Sequence, residues 1–513
     1  MRIMFTVGEI LKNRADYSPD LEAVVAPDTR YTYGEYNRWV NRLAHFLLEL
    51  DVRKGDRVAI LCSTNHPFAM VFLAAAKVGA VAVPLNWRLT PRELKRLMEK
   101  SGPKVLFYEE EFTALADVLE PLDFLERMVR VGVDQKMNPA FEEALLERPD
   151  QEPGVDVGPG EPVVLTYTSG TTGEPKGVVA THANLFASGT SVGMSLDLRK
   201  GDRFLATTPL FHISGAAFIP HAPLMGLTTV YMPKFHPVQI WELVERERIT
   251  HLLALPPMLP YMLTPLMEGD WDTGSLREIF CGGAEVPEDL IRQYHSLGFP
   301  IVQIYGASEF CGPITFWTPE MGMDRCRSVG KKVLGELKLV DPETGEEPSP
   351  GEMGEIFCRG PQVSPGYWRD SEATTRNLKG GWFRTGDAGW LDEDGFLHIA
   401  GRYGDIIHHQ NEKIFPAQVE AVLLELEDIE EVAVVGVRDG DRGEVPRAYA
   451  VTKEGSGLTE ESILGYARER LAEHKLQEVV LKDALPKNGL GKILKYVLKE
   501  EANQPASAGE VTG

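Results

Sequence analysis

The sequence has few cysteines and no long apolar run. Its cysteines are Cys62, Cys281, Cys311, Cys326 and Cys358. They are scattered, odd in number and without a CxxC pair, which argues against a disulfide framework or a zinc site and fits a reducing cytoplasm. No stretch approaches the roughly 18 apolar residues of a membrane-spanning helix, and residues 1–6 lack the apolar core of a signal peptide. We therefore expect a cytoplasmic protein without a transmembrane segment.

Positive charge is also scarce. The chain has 53 lysines and arginines against 76 aspartates and glutamates, a formal net charge of −23. This balance argues against a surface for nucleic acid or anionic lipid. An anionic nucleotide would need local positive groups against this unfavourable field. At 513 residues the chain is too long for one compact core, so we expect two or more domains.

Apolar segments alternate between strand-like and helix-like patterns along most of the chain. Strands are predicted at 57–61 and 80–84 with a helix at 69–77 between them, and further strands at 204–206 and 251–254. Such alternation predicts an α/β fold with a parallel sheet covered by helices.

The composition changes after Gly401 and Arg402, and a short self-contained α+β pattern follows. Its predicted helices and strands are at 416–426, 432–436, 448–451 and 459–473. We expect a large N-terminal domain of several subdomains with helix-covered sheets (1–402) and a small α+β C-terminal domain (403–500). Residues 501–513, rich in Ala, Ser and Gly, are expected to be disordered.

The segment 166–177, TYTSGTTGEPKG, is the most informative part of the sequence. It follows a predicted buried strand at 162–165 and precedes Thr181, which can cap a helix beginning at His182. In this strand–loop–helix context, glycines admit a polyphosphate to backbone N–H groups, hydroxyls donate hydrogen bonds, and Lys176 supplies positive charge. It is not a Walker loop, because Lys176 is followed by Gly177 rather than Ser or Thr. The alternative, an ordinary surface turn, is disfavoured by the ordered run and its context.

This run closely resembles the phosphate-binding signature of the adenylate-forming superfamily: acyl-CoA synthetases, aryl-CoA ligases, luciferases and peptide-synthetase adenylation domains. Other segments resemble further elements of that family in the same order. They are 208–215 (TPLFHISG), 281–285 (CGGAE), 304–309 (IYGASE), 382–387 (WFRTGD), 401–402 (GR) and 486–495 (PKNGLGKILK). Each short string is weak alone, but together they extend the resemblance from about Thr32 to Leu498.

The resemblance implies a nucleotide site that binds ATP. The implied nucleotide contacts are Thr168, Ser169, Gly170, Thr171, Thr172, Gly173, Gly283, Ala284, Tyr305, Gly306, Ala307, Ser308, Asp387 and Arg402. Lys176 is expected to hold the β- and γ-phosphates. Glu309 is expected to hold Mg²⁺, a cation that prefers oxygen ligands. Asp387 is expected to accept hydrogen bonds from the ribose hydroxyls, as acidic residues do in other nucleotide folds.

The resemblance also implies a carboxylate site. Its expected contacts are Phe211, His212, Gly215, Ala307 and Cys311. His212 would act by packing and hydrogen bonding, although a lone histidine is more often a satisfied core residue. No Arg or Lys stands in these segments, which favours an apolar acyl or aryl acid over a dicarboxylate or amino acid.

Lys492 occupies the position of the family's catalytic lysine, although a basic C-terminal segment is more often a solvated face. Gly404 stands at the family's hinge position, about which the small domain would rotate. Gln410 and Asn411 replace the paired glycines that give the pantetheine arm of coenzyme A room. This change concerns the transfer of the acyl group to coenzyme A rather than the formation of acyl-AMP. His408 and His409, next to this pair, either line the tunnel for the thiol or are exposed residues without a role. We favour an exposed residue without a role for His409 and leave both alternatives open for His408.

We therefore expect an AMP-forming acyl-CoA ligase that joins a medium-chain, long-chain or aryl carboxylic acid to coenzyme A, with ATP and Mg²⁺. Two alternatives stay open: transfer of the acyl-adenylate to an amine or carrier thiol, and a non-catalytic nucleotide-binding scaffold. A homodimer is also considered. The first alternative is motivated by the altered loop at Gln410 and Asn411.

Overall fold

The computed structural model of the protein describes residues 5–27, 29–134, 136–169, 175–409, 412–439, 443–487 and 493–503. The chain divides into two compact units. The first comprises Met1–Leu337 and Cys358–Phe383, and the second comprises Lys338–Phe357 and Arg384–Gly513. Three strands, Glu336–Val340, Gly354–Arg359 and Trp382–Leu391, continue across the points of division along the chain. The domain boundary predicted at residue 402, next to the expected hinge, stays a prediction.

The first unit contains a seven-stranded sheet. In spatial order its strands are Lys136–Met137, Arg127–Val133, Val105–Glu109, Arg57–Leu61, Val81–Pro84, Pro162–Ser169 and Pro175–Thr181. The five inner strands are parallel, and only the two edge strands run antiparallel to their neighbours. The three central strands, Val105–Glu109, Arg57–Leu61 and Val81–Pro84, are almost entirely buried, as expected when both faces of a parallel sheet are covered.

A nine-stranded sheet lies in the same unit. In spatial order its strands are Lys331–Lys332, Gly312–Trp317, Ile301–Ala307, Glu278–Gly282, His251–Ala254, Arg203–Ala206, Thr228–Tyr231, Glu22–Val25 and Arg30–Thr32. The strands from Ile301–Ala307 to Glu22–Val25 are parallel. Their carboxyl ends therefore share one edge of the sheet, where the loops that carry function usually lie.

Helices cover these sheets. Those of the first unit are Val7–Tyr17, Tyr33–Glu49, His66–Lys77, Pro91–Ser101, Thr113–Leu119, Pro139–Leu146, His182–Ser195, Ile213–Ala216, Phe218–Met225, Pro237–Glu247, Met258–Glu268, Glu288–Ser296 and Ser371–Asn377. One apolar cluster joins residues of both sheets to the first three of these helices. Helix His66–Lys77 is buried along its whole length, and it begins three residues earlier than predicted because Asn65 caps it.

The second unit has a smaller core of its own. Its helices and strands from residue 397 onwards are Leu397–Arg402, Ile407–His409, Glu412–Ile414, Pro416–Leu423, Ile429–Asp439, Gly443–Thr452, Glu460–Arg470, Glu478–Leu481 and Lys495–Asn503. Every predicted element of this segment is present, and Thr459 is the N-cap of its helix rather than its first residue. The observed architecture confirms the predicted α/β fold with a small α+β C-terminal part. No helix in the described ranges is long and apolar enough to cross a membrane.

Candidate active site

The candidate phosphate loop connects two antiparallel strands, Pro162–Ser169 and Pro175–Thr181, with Thr168 opposite Lys176. The predicted order of strand, loop and helix is therefore wrong in one respect. A second strand, Pro175–Thr181, lies between the loop and the helix. This second strand forms at the edge of the sheet, where the apolar side chains of residues 178–180 are buried. The helix begins at His182 as predicted, and the N–H of Asn184 donates to Thr181 Oγ1 (3.1 Å).

Part of this loop falls outside the described residues, so its predicted nucleotide contacts stay predictions. They are Gly170, Thr171, Thr172 and Gly173, together with the side chain of Ser169. The loop's lysine is described and is half-buried on the second strand. The description of the site therefore starts from Lys176.

Lys176 and Glu309 both contact one tyrosine, Tyr367. The Lys176 Nζ lies 5.5 Å from the centre of the Tyr367 ring, a cation–π distance. The Tyr367 hydroxyl donates to Glu309 Oε1 at 2.9 Å. The other carboxylate oxygen, Oε2, has no hydrogen-bond partner in the part of the chain that the structure describes. A cation and a carboxylate therefore contact the same tyrosine, and the carboxylate keeps one oxygen without a described protein partner.

Tyr367 was not among the residues that sequence reasoning selected. The only signal available was a Pro-Gly turn followed by two aromatic residues, Tyr367 and Trp368, which also occurs in loops without function. Pattern reasoning could not join it to Glu309, because the two are far apart in the sequence and meet only after folding.

The Tyr305–Glu309 segment lies at the carboxyl edge of the nine-stranded sheet. Strand Ile301–Ala307 leads into a 3-10 turn, Ser308–Phe310, that carries Glu309. The predicted adenine edge lies beside it, because Gly282 is paired with Ile304 in the neighbouring parallel strand. Gly283 has a φ of +92° and is exposed, as is Ala284. The structure thus brings together the segments that contain Gly283, Ala284, Tyr305, Gly306, Ala307 and Ser308.

The residues predicted to contact the carboxylic acid (Phe211, His212, Gly215, Ala307 and Cys311) are called the carboxylate wall here. Aromatic side chains surround Phe211 and His212 in this wall. The Phe211 ring packs edge-to-face on Trp87, with centroids 6.1 Å apart, and lies 4.6 Å from the His212 ring. Trp87 in turn stacks on Phe112. Burial, and secondarily the nearby Arg88, lowers the pKa of His212 to about 4. His212 is therefore neutral near pH 7, and its buried Nε2 has no hydrogen-bond partner among the described residues.

Arg88 is a second residue that sequence reasoning missed. It follows strand Val81–Pro84, its guanidinium lies 4.9 Å from the Trp87 ring centre, and it is close enough to affect the His212 pKa. The wall segments themselves contain no Arg or Lys, as noted, but folding supplies a cation from elsewhere. The observation made from the sequence covers these segments alone, and Arg88 comes from a different part of the chain.

Two further predicted wall residues have packing roles that the sequence did not indicate. A Cβ on Gly215 would lie 2.6 Å from the carbonyl oxygen of Pro209, so backbone packing requires glycine there. Cys311 is fully buried with a φ of 54°, and its carbonyl accepts from Ser188 Oγ (2.7 Å). Burial raises the pKa of its thiol. Contact of either residue with an acyl group stays a prediction.

A small cavity lies beside this wall. Its lining includes Gly215 from the predicted wall, together with Phe204, Ser214, Phe218, Thr229 and Tyr231. The Phe204 and Phe218 rings are stacked at a centroid distance of 3.6 Å. The cavity is mostly apolar with a few hydroxyl groups.

In the second unit, Asp387 and Arg402 face each other on paired strands. Arg402 Nη1 lies 3.0 Å from Asp387 Oδ1 and donates to the carbonyl of Thr385 at 2.7 Å. The Asp387 N–H donates to Thr385 Oγ1 (2.9 Å). The predicted ribose carboxylate and the predicted nucleotide arginine therefore form one ion pair.

The predicted hinge and junction loop follow in the same unit. Gly404 lies exposed in a 3-10 turn, and a Cβ there would meet nothing within 4 Å. The expectation that His409 is exposed is wrong: it is buried, with Nδ1 2.7 Å from the carbonyl of Glu444. His408 is exposed, and its backbone N–H donates to Glu444 Oε2 (3.1 Å). Gln410, Asn411 and Lys492 lie outside the described residues, so their roles stay predictions.

Comparison with known proteins gives the class. Residues 11–368 match the AMP-binding enzyme family, and residues 418–492 match the AMP-binding enzyme C-terminal domain. The chain belongs to the AMP-binding enzyme family. This confirms the predicted membership of the adenylate-forming superfamily. It also confirms an enzyme of the AMP-forming acid–thiol ligase type that uses ATP.

Three similar proteins illustrate the match. YdaB of Bacillus subtilis (strain 168), whose name as an acyl-CoA ligase is itself provisional, is 39% identical over 97% of this chain and 99% of its own. The long-chain-fatty-acid–CoA ligase FadD13 of Mycobacterium tuberculosis (strain ATCC 25618 / H37Rv) is 35% identical over 97% of this chain and 99% of its own. The solved o-succinylbenzoate CoA synthetase (MenE) of Bacillus subtilis, in complex with the acyl-adenylate intermediate OSB-AMP, has a TM-score of 0.86. It is 31% identical and covers 96% of this chain and 97% of its own.

Proposed function

We propose that this enzyme is an AMP-forming acyl-CoA ligase for a medium-chain, long-chain or aryl carboxylic acid, with Mg²⁺ and coenzyme A. The observation that carries the proposal is the arrangement of Lys176 and Glu309 about Tyr367. It offers one positive group for phosphates and one carboxylate oxygen for a cation, beside a loop that resembles the family's phosphate loop.

In the first half-reaction, a carboxylate oxygen of the acid attacks the α-phosphorus of ATP. The bond to the β-phosphate oxygen breaks, which gives an acyl-AMP anhydride and pyrophosphate. Negative charge on the phosphate oxygens must be balanced, so catalysis is mainly positioning and electrostatic stabilisation. Lys176 and the hydroxyls near Thr168 would hold the β- and γ-phosphates.

Glu309 fits a magnesium site. Mg²⁺ is usually held by one or two carboxylates together with substrate phosphates and water, rather than by an all-protein cage. No group of three or more metal-binding side chains occurs in the described part of the chain, and Glu309 offers one oxygen without a protein partner there. Bound Mg²⁺ would neutralise charge on the phosphates. Glu309 would hold it, and Tyr367 would orient Glu309.

Asp387 and Arg402 would serve the nucleoside end of ATP. The Asp387 carboxylate is ion-paired with Arg402 and could also accept hydrogen bonds from ribose hydroxyls. Arg402 would contact the nucleotide from the same strand pair. Gly283, Ala284 and Tyr305 would border the adenine at the carboxyl edge of the nine-stranded sheet.

In the second half-reaction, the thiol sulfur of coenzyme A attacks the acyl carbonyl carbon, the C–O bond to AMP breaks, and AMP leaves with that oxygen.

We propose that Lys492 bridges the carboxylate and the α-phosphate in the first half-reaction. A domain of residues 403–500 then turns about Gly404, where glycine can absorb a large backbone change. Gln410 and Asn411 would border the pantetheine arm.

The acyl group is expected to be mainly apolar. The wall at Trp87 and Phe211 and the cavity beside Phe218 are aromatic, and His212 is neutral near pH 7. Of the relatives named above, FadD13 is a long-chain-fatty-acid–CoA ligase, which supports a long-chain acid, and MenE is an o-succinylbenzoate CoA synthetase, whose acid contains an aromatic ring and two carboxylates. Arg88 adds a positive charge next to the Trp87 ring.

The two alternatives predict different products. An enzyme that passes acyl-AMP to an amine or carrier thiol is motivated by Gln410 and Asn411. A non-catalytic scaffold is opposed by the retention of Lys176, Glu309, Asp387, Arg402 and Lys492, since a decayed site should have lost at least one. The cytoplasmic location and the homodimer expected from the sequence stay predictions.

Pyrophosphate release across a panel of fatty and aryl acids, with and without coenzyme A, tests the proposal. Release that depends on one acid, with an acyl-CoA product, would support the ligase and name its substrate. Release unaffected by coenzyme A, with acyl-AMP accumulating, would favour the transfer enzyme. ATP binding without release for any acid would favour the scaffold.

A further inference from the structure

Tyr367 contacts both charged groups of the candidate phosphate site, Lys176 and Glu309. Its ring faces the Lys176 ammonium at 5.5 Å, and its hydroxyl donates to Glu309 Oε1 at 2.9 Å. Lys176 and Glu309 form no ion pair with each other or with any other described residue. The tyrosine therefore contacts both groups while they stay unpaired.

The surrounding backbone fixes Tyr367 in this place. Its N–H donates to Thr374 Oγ1 (3.0 Å), and the next N–H, of Trp368, donates to the carbonyl of Gly177 (2.7 Å). On its other side, the carbonyl of Gly366 accepts from Val179 N (3.0 Å). These bonds tie the segment to the strand that carries Lys176.

The same segment is tied to the turn that carries Glu309. The Ser364 N–H donates to the Glu309 carbonyl (2.8 Å), while Ser364 Oγ donates to the carbonyl of Val179 (2.6 Å). Ser364 is almost fully buried. The strand of Lys176, the turn of Glu309 and the loop of Tyr367 are thus held as one structure through backbone groups.

We infer that Tyr367 is a positioning residue that holds Glu309 for Mg²⁺ and Lys176 for the ATP phosphates. This inference rests on the proposed function. A lysine and a glutamate that contact the same side chain could otherwise pair with each other, which would cancel the positive charge needed for phosphate and occupy the oxygen needed for the cation. A ring that attracts the ammonium and a hydroxyl that engages one carboxylate oxygen prevent this pairing.

The two contacts of Tyr367 can be separated by substitution. Tyr367→Phe removes the hydroxyl and keeps the ring under Lys176. Tyr367→Leu removes both. Tyr466→Phe is a matched control in the second unit, because the Tyr466 hydroxyl donates to Glu425 (3.0 Å) and Arg470 lies 3.7 Å from its ring centre.

The first readout is equilibrium binding of a non-hydrolysable ATP analogue to the full chain, with and without Mg²⁺. For Tyr367→Phe we expect the Mg²⁺ concentration at half-maximal binding to rise roughly tenfold, the scale of a hydrogen bond to a charged group. Metal-free binding should be unchanged. Tyr367→Leu should weaken metal-free binding as well, and Tyr466→Phe should match the unmodified protein.

The second readout is acid-dependent ATP–pyrophosphate exchange. Tyr367→Phe should need more Mg²⁺ for its half-maximal rate, and excess Mg²⁺ should restore that rate, which a general folding defect would not allow. Equal Mg²⁺ dependence of Tyr367→Phe and unmodified protein in both readouts would overturn the inference. If the unmodified protein shows no exchange with any acid, the proposed function fails, while the binding readout still decides the role of Tyr367.

Discussion

Gly306 lies where strand Ile301–Ala307 pairs with strand Gly312–Trp317, just before the turn that carries Glu309. A Cβ at this position would lie 2.1 Å from the carbonyl oxygen of Gly312 and 2.7 Å from Pro313 Cα. Both neighbours are backbone, so neither can rotate away. The glycine therefore permits the close approach that sets the direction of the Glu309 turn.

We expect Gly306→Ala to destabilise the protein by about 1–3 kcal/mol, the usual cost of overpacking, and to lower ATP binding. Thermal unfolding and nucleotide binding measure the two effects. Gly160→Ala is the control, because a Cβ at Gly160 would meet nothing within 4 Å. Equal stability of the two variants would contradict the account.

At the residue scale, the sequence predicted the charged groups and missed what holds them. Lys176 and Glu309 belong to ordered segments with a known family pattern, and the structure brings those segments together. Tyr367 and Arg88 act through contacts between segments distant in sequence. Local patterns contain no information on such contacts without a fold.

Among the elements, helices Ile213–Ala216 and Phe218–Met225 cover the candidate acyl cavity. Phe218 begins the second of these helices and stacks on Phe204 of the neighbouring strand, with a ring-centre distance of 3.6 Å. Both rings line the cavity. An acyl chain that entered this cavity would therefore meet the stacked pair.

We expect Phe218→Ala to shift acid preference to longer chains and Phe218→Trp to shift it to shorter ones. The kcat/KM ratio of a longer to a shorter acid should change roughly tenfold, since each buried methylene contributes about 0.8 kcal/mol and more where shape discriminates. Phe235→Ala, at an exposed position, is the control. An unchanged chain-length profile in both Phe218 variants would place the acyl group elsewhere.

The elements show why the fold was predictable. Strands Arg57–Leu61 and His251–Ala254 have the predicted bounds, because short apolar runs between polar segments specify buried strands. The strand Pro175–Thr181 was missed because its first residues, Pro-Lys-Gly, resemble a loop. Its antiparallel pairing with Pro162–Ser169 and the burial of residues 178–180 override this local pattern.

At the scale of the whole molecule, several histidines are buried in neutral form. Burial lowers the pKa of His66 to about 3 and that of His221 to about 4, and burial with Arg88 lowers that of His212 to about 4. In the unfolded chain each would have a pKa of about 6.5. The unfolded chain therefore binds more protons between about pH 6.5 and pH 4, and the folded protein loses stability as the pH falls through that window.

We expect the free energy of unfolding to be highest above about pH 6.5 and to fall by several kcal/mol towards pH 4, since one pKa unit corresponds to about 1.4 kcal/mol. Urea unfolding across this window measures it. Carboxylates also titrate here, so the comparison with His221→Gln isolates the histidine. The variant should show a shallower pH dependence; an identical slope would contradict a neutral, buried His221.

The most direct test of the central claim follows oxygen from the acid to AMP. The enzyme is incubated with ATP, Mg²⁺, coenzyme A and the preferred acid labelled with oxygen-18 in its carboxylate, and the products are analysed by mass spectrometry. Attack of the carboxylate on the α-phosphorus, followed by thiol attack on the carbonyl carbon, predicts one labelled oxygen in AMP and the other in acyl-CoA. Unlabelled AMP, or label in inorganic phosphate with ADP as the product, would contradict an AMP-forming ligase.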